Sequence, residues 1–143
     1  MKKLLIYSLS ISLLFSCVKK EPLTPATPSK TDVEKVMEGT KEATGIFMNG
    51  AHPTSGKVLV VTDKADAKKK YLSFENFKTD AGPDLRIYLA EDTKAKGFTE
   101  VGKLTSTGTF VLDIPSAAML DKQKYVLIWC EDFSVLFGSA KLE

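Results

Sequence analysis

The sequence predicts an all-β fold, a single antiparallel β-sandwich or barrel-like domain of about eight short strands. Three observations support this. Beyond Gly45 the apolar residues alternate with period two, as half-buried strands require. Short β-branched or aromatic runs are separated by Gly, Pro, Asp and Lys clusters about every ten residues. No G-x-G-x-x-G or G-x-x-x-x-G-K-[ST] run and no strand–helix alternation occurs, which argues against a doubly wound sheet and nucleotide-dependent chemistry.

The first element is not part of that fold. Lys2 and Lys3 precede an apolar stretch from Leu4 to Phe15, broken only by Ser8, Ser10, Ser12 and the Tyr7 hydroxyl. A basic start and an apolar run of about a dozen residues fit a secretory signal better than a spanning helix, which needs about 20. The run ends in Leu14-Phe15-Ser16-Cys17, a small residue directly before a cysteine. It resembles a bacterial lipoprotein signal, with lipid attached to Cys17 and cleavage just before it, although Phe15 is bulkier than usual there. The expected partner is therefore a membrane, reached through lipid on Cys17, and the expected location is the bacterial cell envelope. An acidic retention-type signal is absent from Val18, Lys19 and Lys20, which leaves inner and outer membrane open.

Residues 1–16 are thus the expected signal peptide and 17–31 a lipid-anchored, Pro-rich tether. Pro22, Pro25 and Pro28 recur every third residue among few apolar ones, which favours an extended spacer holding the domain off the bilayer. Residues 32–44 read as a short helix or lead-in: Thr31-Asp32 can cap it and Val33, Val36, Met37, Thr40 and Ala43 have helical spacing, with Gly39 inside. Residues 45–143 form the β domain.

Its strands are expected at Thr44–Met48, Lys57–Thr62, Lys70–Phe74, Leu85–Leu89, Thr99–Leu104, Thr109–Ile114, Lys124–Cys130 and Phe133–Lys141. In the last hairpin a two-residue Glu131-Asp132 loop would pair Cys130 with Phe133. Pleating then puts Val126, Ile128, Cys130, Phe133, Val135 and Phe137 on one wholly apolar face, the expected core. Tyr125, Leu127, Trp129, Ser134, Leu136 and Gly138 fall on the other.

Charge excludes further classes. The chain has 143 residues, 20 Lys+Arg and 18 Asp+Glu. Cleavage before Cys17 takes away Lys2 and Lys3, which leaves basic and acidic residues equal in number and the mature chain without net charge. Nucleic acid is not an expected partner of such a surface. After lipidation of Cys17, Cys130 has no second cysteine for a disulfide. It is either a small buried hydrophobe or a reactive or ligating group; Glu131 and Asp132 beside it disfavour a thiolate, less so a ligand to a cation.

His52, the only histidine, lies in the Gly- and Pro-rich connection Asn49 to Gly56. One histidine and one cysteine cannot make a three- or four-ligand N/S zinc site. C-x-x-C-H haem attachment and a G-x-S-x-G elbow are absent, and His52 has no assigned acid partner. Asp63 with Asp66 and Asp80 with Asp84 lack calcium-loop spacing and read as turn formers or solvated charges. Nothing marks a stand-alone enzyme.

The order His52-Pro53-Thr54-Ser55-Gly56, Asn76-Phe77, Gly82-Pro83-Asp84-Leu85 with Tyr88-Leu89, Ile114-Pro115, and Ile128-Trp129-Cys130 with Phe133 and Phe137-Gly138 resembles the DM-thirteen domain. The likeness spans Gly45 to Leu142, with Gly-Pro-Asp and Trp-Cys its most specific pieces. The family is labelled an electron-transfer domain and is proposed to work through its cysteine, as a naked thiol or as a ligand to a prosthetic group such as haem. The resemblance therefore implies Cys130 as redox thiol or ligand, Cys130 and His52, which matches the family's histidine, as cofactor-binding residues, and Gly56, Gly82, Pro83, Asp84, Trp129 and Gly138 as structural motif residues. It also implies an unidentified redox or protein partner.

Two functions follow. One is a lipid-anchored envelope protein with an accessory redox or electron-transfer role centred on Cys130, for which Cys130→Ser should abolish redox activity and largely spare folding. The other is a non-enzymatic binding module that uses loops such as Gly50 to Gly56 and Asp80 to Asp84, with the cysteine structural.

Overall fold

The computed structural model describes residues 19–26, 33–34, 36 and 38–143; Cys17, the signal segment and Thr31-Asp32 lie outside the described residues. The strands are β1 (Thr24–Pro25), β2 (Thr40–Asn49), β3 (Thr54–Thr62), β4 (Lys70–Thr79), β5 (Leu85–Ala90), β6 (Thr99–Lys103), β7 (Ser106–Asp113), β8 (Tyr125–Cys130) and β9 (Val135–Lys141). They form one nine-stranded sheet in the order β1-β7-β4-β3-β2-β9-β8-β5-β6, curled into an open half-barrel. All pairs are antiparallel except β1 with β7.

Irregular pairing lets this sheet curl. The register shifts between Lys41 and Ala43, Ser55 and Lys57, Phe74 and Phe77, Ile87 and Tyr88, and Ile128 and Trp129. Each shift adds local twist, which bends the sheet around its apolar face. Inside sit Phe47, Val58, Leu72, Phe74, Phe77, Ile87, Val126, Ile128 and Phe137, all buried. Phe74 stacks on Phe110 at 4.5 Å between centroids and meets Phe77 edge-on at 5.4 Å.

The eight expected strands are all present, several of them longer than the alternation indicates. The final hairpin differs. Residues 131–134 form a four-residue turn, closed by the Ser134 amide to the Glu131 carbonyl at 3.3 Å, with Ser134 at φ 51°. Cys130 therefore pairs with Val135 rather than Phe133, a shift of two that preserves the faces as far as Leu136; the bulge between Ile128 and Trp129 then moves the register by one, so Gly138, expected on the outer face with Trp129, pairs with core Ile128 instead. Val126, Ile128, Cys130 and Phe137 are core as expected; Phe133 leaves the strand and is 58% exposed.

The second difference is the tether. Leu23 and Ala26 pack against the core, and Thr24-Pro25 adds a parallel strand to β7, so residues 21–26 lie along the domain instead of standing free of it. The Thr24 and Ala26 amides donate to the Thr105 and Thr107 carbonyls at 3.1 and 2.7 Å. Pro25, between them, sits on an edge, where a missing N–H costs nothing. Val33, Glu34 and Val36 have helical backbone, whereas Thr40 and Ala43 belong to β2. Val36 is buried on Leu59, Val61 and Tyr71 outside the sheet.

The register sorts the connections into two poles. One collects the end of β2, the start of β3, the end of β4, the starts of β5, β7 and β9, and the ends of β6 and β8. His52, Gly56, Gly82, Pro83, Asp84, Trp129, Cys130 and Gly138 lie at or next to this pole, whereas Ile114-Pro115 follows the end of β7 at the other. The far pole is fixed by buried Gln123, which accepts from the Met119 amide and donates to the Gly97 carbonyl and the Thr99 hydroxyl.

Candidate functional site

Phe137 organises the motif pole. Its ring is in the core, and the His52 imidazole stacks on it at 3.8 Å between centroids, 23° from parallel. His52 is placed by its loop: the Gly50 and His52 amides donate to the Phe137 carbonyl, and the Ala51 amide donates to the Leu136 carbonyl. The exposed Asp80 carboxylate accepts from His52 Nδ1 at 3.0 Å. This fixes the proton on Nδ1 and leaves Nε2 as the acceptor of the neutral ring. Asp80 is thus the acid partner that the sequence does not assign to His52, and it is not paired with Asp84.

Two glycines make this packing possible. Thr54 is buried against Gly138, where a Cβ would lie 2.4 Å from the Thr54 Cβ. Its hydroxyl reaches the Phe137 carbonyl at 3.1 Å and the Thr79 hydroxyl at 3.0 Å. Gly56 occupies φ +117° at the β3 bulge, 2.7 Å from Phe77 Cα for a would-be Cβ, a position suited to glycine. Gly82 lies with Leu85 and Phe137 against its Cα, and partly buried Pro83 leads to Asp84.

Asp84 joins β5 to the hairpin. Its carbonyl accepts the Glu131 amide at 2.9 Å, and its carboxylate receives Arg86 Nε and Nη2 at 2.8 and 3.0 Å. Arg86 also reaches Glu100 at 2.8 Å. The guanidinium holds the Asp84 carboxyl below its ordinary range, and the two carboxylates raise the Arg86 value in turn. Trp129 is the cross-strand partner of Arg86 on the outer face and stacks with Tyr88. Tyr88 donates to Glu131; burial first, and then that bond, raises its phenol.

Cys130 is inside the same pole. It pairs with Leu85 and Val135, belongs to the core cluster with Ile128 and Phe137, and has no exposed surface. His52 is on the rim, joined to that cluster through Phe137. Among the described residues, no group of three or more His, Cys, Asp and Glu is placed to hold a metal ion. A groove of about 280 Å³ lies outside β3, β4 and β7, lined by Val36, Lys41, Leu59, Val61, Asn76 and Val111; it includes neither His52 nor Cys130.

The family model described as "Electron transfer DM13" matches residues 46–142. The chain belongs to the DM13 family. No curated protein and no solved structure matches it. Membership of the DM13 family suggests an electron-transfer-related role.

A haem or similar group ligated by Cys130 does not fit the residues present. The sulfur has no open face, being enclosed by the inner layer of Leu85, Ile128, Val135 and Phe137, which a macrocycle would have to displace. Polar groups that the pole presents outward include His52 with Asp80, and Arg86 with Asp84 and Glu100. Sequence reasoning places Asp80 in a candidate binding loop but misses its bond to His52, and it misses Arg86 as a member of this site. Arg86 is detectable as the one charged residue within Leu85-Arg86-Ile87-Tyr88-Leu89, while the link from Asp80 to His52 joins two separate loops and leaves no local signal.

Proposed function

We propose that this chain is a lipid-anchored cell-envelope protein whose DM13 domain serves electron transfer as a docking module for a redox partner. In this role Cys130 is a core side chain of the docking pole and does not exchange electrons. The observation that carries the reading is the division of the motif: the sulfur is sealed while the paired polar groups of the same pole face outward. Lipid anchoring is supported by the basic start, the apolar run and Ser16-Cys17.

The family description favours a second reading, thiol chemistry at Cys130. For that, the sulfur must meet an oxidant, which requires the pole to open.

The test uses membranes from the source bacterium lacking the chain, complemented with native protein, Cys130→Ala, or Asp80→Ala with Arg86→Ala, and assayed for electron flux to a dye acceptor. Docking predicts that Cys130→Ala retains flux and the double surface variant loses it, at equal protein levels. Loss of flux in a folded Cys130→Ala protein, with rapid native-state thiol labelling of the parent, would replace docking by thiol chemistry.

A further inference from the structure

We propose that residues 21–26 hold the anchored end of the chain at the motif pole, so that this pole faces the lipid bilayer. The inference rests on lipidation of Cys17, as proposed above, and adds an orientation to it.

The chain reaches the domain at Glu21. Its amide donates to the Gly82 carbonyl at 3.0 Å, and its carboxylate meets Lys103 Nζ at 2.6 Å, which in turn lies 3.9 Å from Asp84. From there Leu23 and Ala26 pack on the core and Thr24-Pro25 pairs with β7, running away from the pole. The contacts begin at the connection before β5 and the end of β6, both at the motif pole.

Length then decides the orientation. A wholly free tether through Lys30 would reach about 40 Å at about 3.1 Å per residue and let either pole approach the membrane. With Glu21 docked, the leash is the step from Cys17 to Glu21, which spans at most about 14 Å. The ten residues of β2 run about 33 Å from one pole to the other. A leash less than half that length cannot bring the far pole to the bilayer.

Exposed apolar side chains do not make this choice, since Met48 and Phe133 lie towards the motif pole and Phe98 and Met119 towards the other. Charge does not make it either. Lys103–Glu21 is balanced, but Arg86 faces two carboxylates, the neutral His52 ring leaves the Asp80 charge, and Glu131 and Asp132 are exposed, so charge supplies no attraction to the headgroups and the orientation rests on the length of the leash. A redox partner that docks there is then met at the membrane surface.

The experiment uses the full chain, produced in a lipidating bacterium and reconstituted into phosphatidylethanolamine/phosphatidylglycerol vesicles doped with a headgroup-nitroxide lipid. In a Cys130→Ala background, a fluorophore is attached at Phe133→Cys or at Lys94→Cys, the second at the far pole. Quenching at position 133 should be at least threefold stronger than at 94. A flexible Gly/Ser stretch inserted between Lys20 and Glu21, long enough for the leash to exceed the about 33 Å between the poles, should bring the two close to equality. Equal quenching with the native leash, or a difference that survives the insertion, overturns the inference. The intact mass of the mature chain separates the two ideas: absence of acyl chains overturns lipid anchoring and the orientation with it, whereas an acylated chain with equal quenching overturns the orientation alone.

Discussion

Substituting Cys130 tests whether its sulfur is a core group. The side chain has no exposed surface and packs with Leu85, Ile128 and Phe137. Cys130→Ala removes one heavy atom and leaves a methyl-sized gap, a cost of about 1 kcal/mol by analogy with single-methylene deletions. Cys130→Ser fills the space but sets a hydroxyl among apolar side chains. Leaving that hydroxyl unpaired costs about 1–3 kcal/mol, so serine is the more damaging change by about 1–2 kcal/mol. The sequence alone suggests that Cys130→Ser largely spares folding; the burial of the sulfur reverses that expectation.

For a domain near 100 residues, each kcal/mol lowers Tm by about 4–8 °C. Cys130→Ala should therefore melt about 5 °C below the parent and Cys130→Ser about 10–20 °C below it, by circular dichroism. Thiol labelling of the parent should require opening of the pole. An opening free energy of about 4 kcal/mol would slow labelling about a thousandfold relative to urea-unfolded protein. A serine variant as stable as the parent, or more stable than the alanine variant, would refute the placement of the sulfur in an apolar core.

Three further outcomes are expected. Gly138→Ala should cost about 2–4 kcal/mol, combining overpacking with loss of the Thr54 hydroxyl bonds, and Thr54→Ala should rescue it only in part because the 2.4 Å contact is to the Thr54 Cβ; urea melts of the single and double variants check this. Arg86 keeps Asp84 below its ordinary 3.8, so their pairing stabilises the fold above that value and is lost as pH falls through the lower folded value; Asp84→Asn should flatten acid melts below that ordinary value. Burial and the bond to Asp63 push the Tyr71 phenol from 10.0 to about 12, so stability is full below pH 10 and falls as pH rises through that interval; Tyr71→Phe should remove that part of the alkaline limb in melts.

The strands are legible because a sheet with one apolar face writes itself into the sequence with period two, and the clusters between the runs mark its turns. Phe133 is misplaced by that reasoning because a two-residue and a four-residue turn keep the same faces and differ only in where the strand begins. The docked segment 21–26 leaves no pattern: its strand is short, and its partners Thr105 and Thr107 lie far along the chain, beyond five intervening strands. The same separation hides Asp80 from His52 and Gly97 from Gln123. A polar contact between loops follows from how the strands are ordered, and the sheet order is not contained in any local window.

That division also bears on what the family motif encodes. Gly138 admits Thr54, Gly56 allows the β3 bulge, Gly82 lies against Phe137, and the Asp84 carbonyl receives Glu131. Each of these residues shapes one pole, and Cys130 fills its interior. A motif built this way specifies the shape and rigidity of a surface. Chemistry at that surface falls to the groups it holds outward, His52 through Nε2 and Arg86 between two carboxylates. Arg86 supplies a fixed, permanent charge for orienting a partner, and the His52 ring is held in one tautomer by a carboxylate; neither role requires the buried sulfur to move.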